Sequence, residues 1–178
     1  MSMTSIARRF LMLPAILALA TLTGCASQMT HQEMTPAPVT LAKQHPQSVT
    51  VTALALPNDP MANTIPVTEL RTALSDAIVA SKAFQNVKGE GGDYQLTVQI
   101  FNLNYPTFGA SFTSKVEAGW TLKRADTGAV VWQEAIKSEH TSTISDAFVG
   151  AERLKMSIAG AIRNNITTGV AHIGAAKL

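Results

Sequence analysis

One residue among the 178 carries a soft, strongly nucleophilic atom: Cys25, the last of Leu22-Thr23-Gly24-Cys25 and the only cysteine in the chain. A thiolate attacks activated carbon and can accept an alkyl or acyl group. The small residues before it suit a peptidase that must draw the chain extended through a narrow site. The other reactive side chains are scattered. His31 and His45 lack metal-ligand spacing, and His140 and His172 fall on separate elements. There is no G-x-S-x-G, Ser-x-x-Lys or H-E-x-x-H motif and no paired cysteine. Gly89, Gly91 and Gly92 are not followed by Gly-Lys-Ser/Thr and lead into a strand, so they read as a turn rather than a phosphate loop. Glu134 is the one carboxylate expected on an apolar face, and a carboxylate without a mate is a poor general acid–base system. No catalytic residue, metal ligand or cofactor is assigned.

The elements around Cys25 give that thiol its context. Arg8 and Arg9 precede an apolar run, Leu11 to Leu22, that is shorter than the roughly 20 residues needed to span a bilayer. Residues 1–24 therefore read as a removable signal peptide. Its loss removes two of 14 basic residues and none of 12 acidic ones, leaving a charge-balanced remainder. A neutral domain lacks the positive field that concentrates nucleic acid, which excludes nucleic acid as a partner.

In that position Leu22-Thr23-Gly24-Cys25 resembles the lipobox of bacterial lipoproteins. The resemblance implies cleavage before Cys25 and diacylglycerol and palmitate chains on it. Several acyl chains hold a protein far better than the marginal binding of one. Ala26-Ser27 lacks the aspartate associated with inner-membrane retention. The resemblance thus implies an anchor in the cell outer membrane, facing the periplasm, if the cell is Gram-negative. Residues 25–48 are polar, contain Pro36, Pro38 and Pro46 and show no sustained period, so they read as a flexible tether with His31 and His45 as solvated spacers. About 24 residues of coil have a root-mean-square span of roughly 25–30 Å.

Residues 49–178 read as a single domain. Val49 to Leu56 is rich in β-branched residues and ends at Pro57, which marks a strand. Thr68 can cap a helix over Glu69 to Lys82, with Leu70, Ala73, Leu74, Ala77 and Ile78 on one stripe. Phe84 to Val87 is a short extended piece. Tyr94 to Ile100 alternates as a half-buried strand, and Phe101 and Leu103 break parity, predicting a bulge near 100–102. Phe112–Lys123 and Val130–Glu139 form a hairpin through Asp126-Thr127-Gly128. With Gly128 left-handed, paired numbers sum to 254, matching Glu117 with Lys137 and Lys115 with Glu139. The same register sets Trp120 against Glu134 and Ser114 against His140. Ser145 or Thr143 can cap a last helix whose apolar stripe runs from Ala147 to Ile173, with Gly169 fraying or ending its regular part. The expectation is an α/β (α+β) fold of order β-α-β-β-β-α. Its sheet is mostly antiparallel, of three or four strands, with both helices on one face.

Two surfaces can carry function. Phe101, Tyr105, Phe108 and Phe112 flank Pro106 and Gly109, either as plugs under a loop or as an exposed patch for a partner. Trp120, Trp132 and Glu134 can line a polar pocket between sheet and helices. The unit Val49–Val87 resembles the strand–helix–strand module of curli-secretion pore lipoproteins, lipoprotein activators of penicillin-binding proteins and the amino-terminal domain of the Tol periplasmic protein. The hairpin and last helix are more similar to small uncharacterised periplasm-facing lipoproteins. With no catalytic constellation in the chain, these resemblances point to a non-catalytic, membrane-anchored lipoprotein that binds or assists another envelope component, such as a protein of a secretion, cell-wall or transport assembly. A small-ligand-binding lipoprotein is the alternative, with an enzyme third.

Overall fold

Alternating burial and one helical stripe dictate most of the architecture. A computed structural model describes residues 28–56 and 59–178. Cys25, the lipobox, the signal peptide and Pro57 lie outside the described residues. The chain forms α1 (His31–Met34), β1 (His45–Leu54), a 3-10 turn at Ala62–Thr64, α2 (Val67–Ala80), β2 (Phe84–Lys88), β3 (Tyr94–Asn104), β4 (Phe112–Arg124), β5 (Val130–Ser142) and α3 (Gly150–Ala175). The fold is α+β. The sheet has five strands, in order β2-β1-β3-β4-β5. β1 is parallel to both β2 and β3, while β3, β4 and β5 run antiparallel. The sheet is therefore mixed, because the crossover through α2 returns β2 parallel to β1.

The strand patterns hold in detail. Tyr94, Leu96, Val98 and Ile100 face the helices and are buried. Register slips between Ile100 and Asn102, leaving Phe101 unpaired and restoring Leu103 to the buried side. From Phe112↔Ser142 to Leu122↔Trp132 the β4–β5 register follows the expected sum, and it slips by one before Lys123↔Val130. Gly128 takes the left-handed conformation at φ +69° that the loop requires. Both cross-strand ion pairs form, Lys137–Glu117 at 3.0 Å and Lys115–Glu139 at 3.7 Å.

All five predicted stripe residues of α2 are buried. The helix starts two residues early, after Pro66 rather than at a Thr68 cap. It ends in a Schellman arrangement: Ala83 N–H donates to the Ile78 carbonyl and Lys82 N–H to that of Val79. Lys82 occupies the left-handed position at φ 53°, where glycine is the usual residue.

The last helix begins later than its stripe suggests, after Val149, without a side-chain cap. Thr143 and Asp146 instead close a turn of their own, Thr143 N–H and Oγ1–H both donating to the Asp146 carboxylate. Gly169 neither frays nor ends the helix. It lies inside α3, where an added Cβ would sit 2.2 Å from the Trp120 ring, and Gly160 stands likewise 2.2 Å from His140. Two glycines thus bring α3 close to β4 and β5. Periodicity marks a helix face but not what lies across from it.

The expected tether is corrected from Gln28 onward. Met29 and Met34 are fully buried, and α1 packs in the groove between α2 and α3. His31 Nδ1 lies 2.8 Å from the Glu69 carboxylate, and His45 Nε2 bonds the Ile173 carbonyl at 2.9 Å, so neither histidine is a solvated spacer. Val39 N–H donates to Ser81 Oγ, and Leu41 reaches Gly174. Two methionines and a leucine spaced without period satisfy one groove, and no helical or strand pattern announces it.

Candidate binding face

Both long helices cover the same side of the sheet. Residues of opposite parity on β3, β4 and β5 face solvent, among them Thr97, Gln99, Gly119, Thr121, Gln133 and Ala135. The bulge after Ile100 turns Phe101 onto this uncovered side, 47% exposed, above Gly119. An added Cβ at Gly119 would only touch the Phe101 ring at 3.8 Å, so the ring rests over a site without a side chain. Strand twist makes this surface concave, with a depression of about 640 Å³ lined by Thr97, Gln99, Phe101, Gly119, Thr121 and Gln133, with Lys123, Glu134 and Ala135 completing its edge. The face offers amide and hydroxyl groups around one aromatic ring, with Lys123 and Glu134 at its edge.

The pocket expected between Trp120, Trp132 and Glu134 does not form. Trp120 is fully buried and donates from Nε1 to Asn165 Oδ1 at 2.9 Å. Asn165 in turn donates to the Ile136 carbonyl at 2.8 Å. Trp132 meets Trp120 edge-on, with ring centroids 6.5 Å apart. Glu134 stands at the sheet margin, its carboxylate 2.8 Å from His172 Nδ1. The approach of α3 at Gly169 fills the space where a cavity was expected. Gly119 and the bulge residue Phe101 form a depression instead, which takes in Glu134 of the expected set but neither tryptophan, and the broken alternation at 101 signalled it.

The loop aromatics separate into two groups. Phe112 is buried beneath the Arg153 guanidinium, 5.3 Å from its ring centroid, and Tyr105 packs against the core. Burial, and behind it the Asp59 carboxylate, pushes the Tyr105 hydroxyl above its ordinary pKa. Phe108 is 86% exposed at the loop tip. Phe101 and Phe108 thus belong to different surfaces, and Tyr105 is structural. Arg153, 7% exposed, also binds the Ala147, Phe148 and Gly109 carbonyls, tying the 105–111 and 143–149 loops together. Among the described residues no group of three or more His, Cys, Asp or Glu could hold a metal ion. No described helix is long and apolar enough to cross a membrane.

These features define a class: an α+β domain whose mixed sheet carries helices on one face and leaves the other free. Several solved bacterial proteins resemble it in structure. A Xanthomonas campestris protein of the DUF330 family model matches with a TM-score of 0.55 at 15% identity, over 78% of this chain and 89% of that one. A hypothetical protein of Chlamydia trachomatis matches with a TM-score of 0.51 at 6% identity, over 75% and 99%. A minor lipoprotein of Acinetobacter baumannii gives 0.48 at 10% identity, over 75% and 94%. At such identities the likeness concerns the fold alone. No family model matches the chain, and no curated protein matches it.

Proposed function

We propose that this chain is a lipid-anchored, non-catalytic protein of the bacterial envelope that recognises another envelope protein through its uncovered sheet face. The anchor is Cys25, and the domain faces the periplasm from the outer membrane. The observation that carries the recognition is Phe101, turned outward by a bulge and held over Gly119 in the middle of a concave face. An exposed aromatic ring near the centre of an open face is the kind of anchor on which interface energy concentrates. The small-ligand reading has a volume in its favour, since ligand sites span roughly 300–1,000 Å³. Such sites bury most of their ligand and are lined mainly by apolar side chains, however, and this depression is broad and largely polar, with Gln, Thr, Lys123 and Glu134 around one ring, which favours a protein surface.

Photo-crosslinking in living cells tests this. A photoreactive residue at Gln99 or Gln133 of the full chain should give one adduct of common mass. The exposed helix position Asp76 should not give it, and Phe101→Ser should abolish it. Absence of an adduct, or equal adducts from Asp76, overturns the recognition face. Metabolic labelling with a fatty-acid probe tests the anchor separately: the parent chain should be marked and Cys25→Ser unmarked.

A further inference from the structure

The two ends of the sheet differ. β1 and β3 run parallel and finish at Leu54 and Asn104, beside the start of β4 at Phe112 and the end of β5 at Ser142. α2 and α3 both begin at this end, since each follows or precedes a strand running the other way. Nine large apolar residues are exposed among the described residues, and six of them gather here: Leu54, Val67, Phe108, Ile144, Phe148 and Val149. Phe148 and Phe108 are 87% and 86% exposed. They share one corner, because the Arg153 guanidinium bonds the carbonyls of both Phe148 and Gly109. A buried arginine therefore ties together the two loops that carry these rings.

The start of the described chain lies at the same end. Met29 N–H donates to the Thr64 carbonyl at 2.9 Å and the Gln28 amide to that of Asn63, just before α2 begins. Residues 35–44 then run the length of the helix layer to His45 at the opposite end, against Ile173 and Ala83. Cys25 precedes Gln28 by three residues. Three residues reach at most about 11 Å. An acyl group on Cys25 would lie within that reach of Gln28.

We propose that this end of the domain rests in the lipid surface, with Phe108, Phe148, Ile144 and Val149 inserted among the acyl chains beside the anchor. The proposal rests on acylation of Cys25. It fixes the domain's orientation: the Asp126-Thr127-Gly128 turn points away from the bilayer, across β4, a strand of 13 residues. At about 3.4 Å per residue that turn stands roughly 40 Å from the lipid. The sheet face around Phe101 then stands upright on the membrane, open to a partner from the side.

The test uses the full chain, reconstituted in vesicles of phosphatidylethanolamine and phosphatidylglycerol. Phe108→Cys, Phe148→Cys and Thr127→Cys each carry an environment-sensitive fluorophore, with Cys25 acylation verified by mass. Lipid-borne quenchers should quench the labels at 108 and 148 and spare the label at 127. Tip labels as open to aqueous iodide as the label at 127, on an acylated chain, overturn the proposal alone. Shielding from iodide without quenching by lipid overturns it in favour of a second protein at the tip. An unacylated Cys25 removes the anchor reading and the proposal together. Because single label sites alter the tip, flotation provides a second measure. Phe108→Ser with Phe148→Ser should reduce membrane retention after partial deacylation about tenfold per ring, and unchanged retention counts against insertion.

Discussion

Gly169→Ala sets two well-known effects against each other with opposite signs. Within a helix, alanine is favoured over glycine by roughly 0.5–1 kcal/mol, so propensity alone predicts stabilisation. Here the new Cβ would stand 2.2 Å from Trp120 Cζ2, 2.4 Å from Cε2 and 2.5 Å from Cη2. Carbon atoms rest at about 3.5–4.0 Å, so the helix and indole must separate by more than about 1 Å. The indole has no free direction, being fully buried and bonded to Asn165 at 2.9 Å. Overpacking costs about 1–3 kcal/mol, and a stretched buried hydrogen bond about 1 more. After the propensity gain, a net loss of about 1–3 kcal/mol remains, or about 3–10 °C in Tm for a domain of this size. Thermal unfolding followed by near-ultraviolet circular dichroism reads this directly. In a Trp120→Phe background the ring atoms that clash are gone, and the same substitution should become neutral or mildly stabilising. A single Gly169→Ala variant that melts at or above the parent refutes the close-approach argument.

Met34→Ala should destabilise the domain by about 2–5 kcal/mol in urea unfolding, because a buried side chain in the α1 groove is lost. An unchanged midpoint would restore the tether reading of residues 28–44. Lys82→Gly should raise stability by several tenths to about 1 kcal/mol, since glycine accepts the left-handed C′ position without strain. Ser157→Ala leaves Ser114 Oγ, now 2.7 Å from Ser157 Oγ, without that partner inside the core and should cost about 1–2 kcal/mol. Adding Ser114→Ala should recover part of that cost, and a strictly additive double variant argues against the pair. Asp126 is held down to about 2, first by its hydrogen bonds from Arg124. A depressed carboxylate contributes stability above its ordinary value of 3.8 and loses it as pH falls through about 2. A carboxyl-carbon NMR titration should find its midpoint well below 3.8, and Arg124→Gln should return it toward that value.

The sequence by itself determined the local grammar. Strand alternation, the β4–β5 register with its two ion pairs, the left-handed Gly128 and the α2 stripe all follow from periods and turn chemistry that need no partner to be legible. The bulge after Ile100 was equally local, since one broken alternation announces it. Tertiary structure decided the rest, because the deciding contacts join residues far apart in sequence. Met29, Met34 and Leu41 read as spacer residues until a groove between two helices receives them. Gly169 reads as a fraying or final helix position until Trp120 lies across from it, and nothing local marks Gly160 before His140 does. That same approach closes the space expected between Trp120 and Trp132, while the opposite sheet face stays open. Exposure of Phe108 and Phe148 at one end, and of Phe101 on a face, depends on where loops land after packing. A chain's own order sets which side chains alternate; only the assembled layers set which of them meet water.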